Sequence, residues 1–399
     1  VVVAASRPGD YGAAFVVPPS RPSRPKRRTG LWAALACALG AALAAVALIG
    51  ASAEAAGPAL APPGLTLNLP GPLGGLIGRD HAAPPRPSRS PPSRCRGVTS
   101  SGRVPYAGAV FPCDFPDPMV LKVGRVWYAY ATGTGWQPRG HVFPVLRSRD
   151  MRHWTHVSDG MLGIPGWAYR DVWAPSVVRA RGRYFMYYSG LRRTDNVHCV
   201  AVASSRSPVG PFHTENVIGC HDRQGEGYID AAPLIDRGRA YLYFSVDWPH
   251  TLSVLRLRRD LVHAEGPRKA LLGPTRRWQK GLDDPTVEAP APVRHGRLYY
   301  LFYSAGSWLT DYRMGYAVAR SPKGPFRDYS QNPFLARRPL VAPGGGAVVA
   351  GPGHTQWLAF HAWSGGPGYG SAHGERTLRM APLRWGRRGV SVDVRGGPR

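Results

Sequence analysis

The sequence predicts an all-β fold, a five-bladed β-propeller, and three observations carry the prediction. A hairpin pattern occurs five times: VLKVGRVWYAYATG from Val120, VVRARGRYFMYYSG from Val177, LIDRGRAYLYFSVD from Leu234, PVRHGRLYYLFYSAG from Pro292 and VVAGPGHTQWLAFHAW from Val348. Each copy is a short apolar run, a turn carrying Gly and an aromatic-rich strand pattern. The turn glycines, Gly124, Gly182, Gly238, Gly296 and Gly353, are spaced by 58, 56, 58 and 57 residues. A constant period of that length, filled by strands and turns, marks one antiparallel sheet per repeat.

Upstream of the repeats the chain has a different character. Residues 1–30 are basic, with Arg21, Arg24, Lys26, Arg27 and Arg28 ahead of LWAALACALGAALAAVALIG at Leu31–Gly50. A basic stretch before an apolar run reads as a signal peptide or a membrane anchor over 31–53, with Ala51-Ser52-Ala53 offering small residues for cleavage. The run is Ala-rich all round and has no amphipathic face, which argues against a helix of the folded domain. Residues 54–94 are rich in Pro, Gly and Ser, a composition that buries too little apolar surface to fold and suits a disordered spacer. The propeller is expected over 95–399, outside the cytoplasm, either secreted or anchored through residues 31–50, and as a monomer.

The formal net charge of +27 raises the question of nucleic acid. Only five of the 51 basic residues are Lys, and no zinc-finger, RNP or helix-turn-helix pattern occurs, so a nucleic-acid partner is not expected. Of five cysteines, Cys37 lies in the apolar run. The remaining four suit two disulfides in an oxidising compartment. Cys199 and Cys220 share the outer half of the second repeat and are expected to pair, leaving Cys95 with Cys113. No CxxC spacing supports a thiolate metal site.

Superposing the repeats brings out the chemistry. Asp117 lies seven residues before its turn glycine, while Asp230 and Glu288 lie eight before theirs. The corresponding residues of the second and fifth repeats are Ala174 and Gly345. Inner strands of a propeller line one channel, so equivalent positions on three blades should face a shared cavity. Crowded carboxylates repel, which keeps one protonated beside another that is ionised. Glycosidic hydrolysis asks for such a pair, one group protonating the leaving oxygen and one activating water. A single acid of this kind is more often a turn cap or an ion-pair partner; three in register favour chemistry.

The segments DFPDPMV at Asp114, DVWAPSVV at Asp171, YIDAAPLID at Tyr228, TVEAPAPV at Thr286 and RTLRMAPLRW at Arg376, in this order, resemble glycoside hydrolase family 43. The resemblance spans about Val104 to Arg399 and implies five-bladed enzymes acting on arabinose- and xylose-containing polysaccharides or oligosaccharides with inversion. It also implies Asp117 as general base, Glu288 as general acid and Asp230 as the carboxylate that orients the acid. Asp114, ten residues before its glycine, competes with Asp117 for the base but falls out of register.

Family members often carry a Gly-x-Gly-His motif whose His ligates a cavity metal. Here GPGH at Gly351 falls on the fifth hairpin turn and the slot that matters is Gly345, so neither a metal nor another cofactor is expected. His361 reads as a hydrogen-bonded core residue. Trp173 and Trp136 are candidates for a sugar-stacking wall, and Arg376 for a contact to a substrate hydroxyl. The alternative reading is a catalytically inactive carbohydrate-binding propeller. A retaining fructan-active relative is disfavoured, since no NDPNG segment accompanies the first acid.

Overall fold

The computed structural model describes residues 95, 108–221, 227–246, 250–280, 286–336, 340–369, 374–392 and 394. The apolar segment 31–53 and the spacer 54–94 lie outside the described residues. Strand β1 (Ala109–Asp114) comes first, and blade one follows as β2 (Met119–Val123), β3 (Val126–Tyr130), β4 (Val142–Ser148) and β5 (Thr155–Met161). Blade two is β6 (Ala168–Ala180), β7 (Arg183–Arg192), β8 (His198–Ser205) and β9 (His213–Cys220). Blade three is β10 (Tyr228–Asp236), β11 (Arg239–Val246), β12 (Thr251–Leu257) and β13 (Ala264–Leu272). Blade four is β14 (Val287–His295), β15 (Leu298–Ala305), β16 (Arg313–Ala319) and β17 (Arg327–Asp328).

Blade five is made from both ends of the domain. Strands β18 (Val341–Ala350), β19 (Gln356–Ser364) and β20 (Glu375–Gly386) are joined by β1 as the outermost strand, and β21 (Gly389–Val392) pairs with the far end of β20. The ring is therefore closed by hydrogen bonds between the first and last parts of the propeller, a role for AVFPCD that the hairpin pattern did not reveal. Both expected disulfides are present: Cys95–Cys113 ties the segment before β1 to that strand, and Cys199–Cys220 joins β8 to β9.

The predicted hairpins are the first two strands of each blade. Residues Arg181-Gly182 and Arg237-Gly238 form the two-residue loops β6–β7 and β10–β11 with φ positive at both positions (51° and 72°; 48° and 74°). That backbone matches the right-handed twist of the flanking strands, and glycine supplies it without a Cβ clash. The aromatic second strands pack between blades, as with fully buried Tyr130, Tyr187, Tyr243 and Tyr303. Three of their hydroxyls are satisfied across blade boundaries, Tyr130 donating to the Pro208 carbonyl at 2.6 Å, Tyr187 to that of Leu261 at 2.8 Å and Tyr243 to that of Pro322, while Tyr303 donates to Asp328 of its own blade at 2.5 Å. Burial of each ring stabilises by roughly 2–3 kcal/mol, and the bonded hydroxyl avoids the desolvation cost that would offset it.

Within every inner strand, or just ahead of it in blade one, one residue takes a positive-φ conformation: Asp117 (53°), Ala174 (48°), Asp230 (57°), Ala289 (51°) and Gly345 (55°). A polar side chain at the end of the second strand of the preceding blade accepts each bulged N–H. Thr132 Oγ1 takes Ala174 at 2.8 Å, Ser189 Oγ takes Asp230 at 2.9 Å, Ser245 Oγ takes Ala289 at 3.1 Å and Ser304 Oγ takes Gly345 at 3.0 Å. His361 Nδ1 completes the circle by accepting Asp117 N–H at 3.0 Å. Five inter-blade hydrogen bonds thus ring one mouth of the channel.

Two stability predictions follow from this closure. Ser304→Ala strands the buried Gly345 N–H and is expected to cost about 1–3 kcal/mol in urea unfolding; a change within about 0.5 kcal/mol would remove the ring from the account. Asp114, buried on β1, has its carboxyl raised from 3.8 to about 6 by burial, against the pull of Arg376. The folded state therefore holds this proton more tightly than the unfolded chain, and stability from this group falls as pH rises from about 4 to about 6, by about 3 kcal/mol. Asp114→Asn is expected to gain on the wild type across that window in thermal melts, whereas a difference independent of pH would contradict the assignment.

Candidate active site

A cavity of ≈ 110 Å³ opens at the ringed mouth and is lined by the five bulged residues and those that follow them on the inner strands. Asp117 of blade one and Asp230 of blade three occupy this layer directly. Glu288 does not share their slot: Ala289 does, and Glu288 stands one residue upstream. The offset arises because slot and turn glycine are seven residues apart in blades one and four and eight apart in the other three. A count from the glycine alone therefore misaligns blade four by one. The bulge, seen as a register shift between Glu288 and Ala291 where β14 pairs with β15, carries Glu288 on its upstream side.

Asp117 is held at both its carboxylate and its backbone N–H. Thr132 donates its hydroxyl to Oδ2 at 2.8 Å, while the same oxygen of Thr132 accepts Ala174 N–H. His361 Nδ1 takes the Asp117 backbone N–H and lies 3.5 Å from Oδ1. Burial, reinforced by Arg376 and Arg379, holds the imidazole of His361 well below the usual histidine range, so it is neutral, carries its proton on Nε2 and is free to accept at Nδ1. Arg376 Nη1 stands 3.7 Å from Asp117 Oδ1.

Arg376 itself is fixed by an aromatic enclosure. Its guanidinium carbon lies 4.8, 5.9 and 5.6 Å from the ring centroids of Trp308, Trp363 and Tyr369, and Nε and Nη2 donate to the Tyr369 hydroxyl at 3.0 and 2.7 Å. Burial opposes its charge, but Tyr369, Asp117 and Asp114 more than offset this and raise its affinity for the proton. Its backbone N–H donates to Asp114 Oδ1 at 2.6 Å, so Asp114 serves the closure of β1 on β20.

Asp230 and Glu288 are joined through the bulge between them. Asp230 Oδ2 accepts Ala289 N–H at 3.0 Å and the Ser245 hydroxyl at 3.3 Å, so the third-blade acid grips the residue next to the fourth-blade acid. Tyr312, at the foot of β16, donates its hydroxyl to Glu288 Oε1 at 2.6 Å. The phenol is held protonated by burial and then by the charges of Glu288, Asp230 and Asp117, in that order. Glu288 is thus the acid in contact with this buried hydroxyl, and Asp230 is tied to it through the Ala289 bulge.

The three consecutive glycines of β18 make room for this cluster. A Cβ at Gly344 would sit 1.9 Å from the Tyr312 ring, and one at Gly345 would sit 2.6 Å from His361 and 2.8 Å from Asp117 Oδ1. The position that carries a metal-ligating His in the related pattern is Gly345, where a side chain would meet His361 and Asp117. GPGH lies on the β18–β19 turn, with Gly353 at φ 58° and His354 exposed. Among the described residues no three His, Cys, Asp or Glu side chains are placed to hold a metal ion. The residues present do not fit a cavity metal.

Of the aromatic candidates, Trp173 directly precedes the bulged Ala174, is partly exposed and packs its ring 5.0 Å from that of His198. Trp136 is not part of a wall. It is 5 % exposed, donates to the Asp114 carbonyl at 2.8 Å and packs on Phe111 at 5.9 Å, because the segment after β3 folds back over β1. Tyr312 and the hydroxyl ring were not singled out from the sequence. The ring has a visible signal, one polar residue ending each aromatic strand (Thr132, Ser189, Ser245, Ser304, His361). Tyr312 has none, since DYRMGYAV alternates like any buried strand.

Residues 106–390 match the sequence profile of glycosyl hydrolases family 43. The chain is 27% identical over 256 residues to the extracellular endo-alpha-(1->5)-L-arabinanase 1 of Bacillus subtilis, covering 60% of this chain and 73% of the relative. It is 24% identical over 282 residues to the extracellular exo-alpha-(1->5)-L-arabinofuranosidase ArbA of Cellvibrio japonicus, covering 63% and 76%. The crystal structure of a thermostable family-43 glycoside hydrolase superposes with a TM-score of 0.63 at 29% identity, covering 77% of this chain and 97% of that one. With the profile spanning most of the chain and the same five-bladed fold underneath, the protein belongs to glycosyl hydrolase family 43 and is a glycosidase.

Proposed function

We propose that this glycosidase hydrolyses arabinofuranosyl or xylosyl linkages of polysaccharides or oligosaccharides by single displacement, with Asp117 as general base, Glu288 as general acid and Asp230 as the group that orients the acid. The observation that supports the reading is that Asp117 and Asp230 line one cavity and that Asp230 accepts from Ala289 N–H, the residue next to Glu288, whose Oε1 is held by Tyr312. The names of the relatives, an arabinanase and an arabinofuranosidase among them, support the choice of sugars.

In this mechanism Asp117 removes a proton from a water whose oxygen bonds to the anomeric carbon, while the glycosidic C–O bond breaks and Glu288 protonates the departing oxygen. The geometry suits each part. Thr132 and His361 leave Asp117 little freedom to rotate, so its lone pairs point in a set direction. Asp230 acts on Glu288 through the Ala289 N–H, which sets the backbone from which the acid projects. Arg376 is proposed to meet a substrate hydroxyl, a reading supported by its fixed position beside Asp117. Trp173 offers a partly exposed ring on the adjoining blade. Action outside the cytoplasm is supported by the two disulfides and by the apolar segment at Leu31–Gly50.

The test is turnover of aryl arabinofuranosides, aryl xylosides and arabinan by the purified domain. Asp117→Asn and Glu288→Gln are expected to fold and to lose about 10²–10⁴-fold in kcat, the usual contribution of a positioned acid or base. Full activity in either variant would remove that residue from its role, and sugar binding without turnover by the wild type would favour an inactive carbohydrate-binding propeller. Trp173→Ala is expected to raise KM several-fold with kcat little changed, the signature of lost ground-state binding; a fall in kcat at constant KM would place this ring elsewhere.

A further inference from the structure

We propose that Tyr312 is a positioning residue for proton delivery: by donating to Glu288 Oε1 it fixes the orientation in which the carboxyl presents its proton. The inference rests on Glu288 being the general acid. A carboxylic acid has one protonated and one carbonyl oxygen, and a fixed donor at Oε1 restricts how the group can turn. The Tyr312 hydroxyl lies 2.6 Å from Oε1, and with its side chain almost wholly buried it has no water to serve instead. Burial and the three neighbouring acids keep the phenol protonated, so it remains a donor over the range in which the enzyme works.

The surroundings show that this contact is built rather than incidental. Gly344 has no Cβ where the Tyr312 ring passes, since an added one would meet ring carbons at 1.9 and 2.1 Å. On its other side the ring is stacked on His361, with centroids 5.9 Å apart and planes 15° from parallel. His361 in turn takes the Asp117 N–H. The phenol that orients the acid and the imidazole that anchors the base therefore support one another across the blade four–blade five boundary, and each leans on a glycine of the same strand.

The experiment measures kcat and KM for wild type, Tyr312→Phe, Gly344→Ala and Glu288→Gln on aryl glycosides of the better-used sugar, with leaving groups from phenol to 2,4-dinitrophenol. Circular dichroism and melting curves accompany each variant. A good leaving group departs without a proton, so a defect confined to proton delivery vanishes there. Tyr312→Phe is expected to lose about tenfold or more in kcat with phenol and little with dinitrophenol, in parallel with a larger, similarly graded loss in Glu288→Gln, and with KM unchanged. Gly344→Ala, which keeps the hydroxyl but displaces the ring, is expected to show the same grading and covers the case in which Tyr312→Phe does not fold. An ungraded loss in the Tyr312 and Gly344 variants beside a graded one in Glu288→Gln would overturn this inference and spare the acid assignment. An ungraded loss in Glu288→Gln, or a wild type that turns over neither sugar, would overturn the reading beneath it and this inference together.

Discussion

The structure depends on a circle of inter-blade hydrogen bonds at one channel mouth. Each blade carries a residue bent into positive φ at its inner strand, and its N–H would be an orphan if the previous blade did not supply an acceptor. Thr132, Ser189, Ser245, Ser304 and His361 supply it in turn. Because each donor and its acceptor come from different sheets, the blades are locked in register with one another at the level where the chemistry lies. Left-handed backbone at non-glycine residues costs of order 1–3 kcal/mol each, and persists only where the surroundings over-determine it.

The same circle positions the acids. Where the bulged residue is acidic, the hydroxyl that accepts the next blade's N–H also donates back to the carboxylate of its own blade, Thr132 to Asp117 and Ser245 to Asp230. One side chain thus closes the fold and aims a functional group, so fold and site share their supports. The exception is the link between blades five and one, where a histidine takes the place of a hydroxyl. Its longer reach spans to Asp117, and neutralised by burial it accepts without adding charge beside that carboxylate. The glycines of β18 follow from this choice, since both the imidazole and the Tyr312 ring occupy volume that any side chain at 344 or 345 would fill.

The hairpins were legible because turn glycines and aromatic strands are local signals set by φ and by two-residue alternation. Asp117 and Asp230 were legible for the same reason, standing a near-constant distance from those turns. The position of Glu288 was blurred by one residue, because a bulge absorbs a residue without changing the hairpin beyond it. Strand β1 was hidden because it belongs to the last blade and not to the repeat beside it, and no local pattern reports a partner more than 260 residues away. Trp136 was misread since an aromatic residue after a strand suits a wall or a core equally well, and only the fold of the loop over Phe111 decides. Tyr312 was invisible because its role is a contact between a strand foot and another strand's bulge.

The account holds that base and acid stand on separate blades around one cavity, so that water attacks from the side opposite the leaving group. Proton NMR of the first sugar released, recorded before the anomers equilibrate, tests this most directly. The account predicts a product of inverted anomeric configuration from the wild-type enzyme; a product of retained configuration would mean that a carboxylate attacks the sugar itself, and would contradict the assignment of Asp117 as a base acting on water.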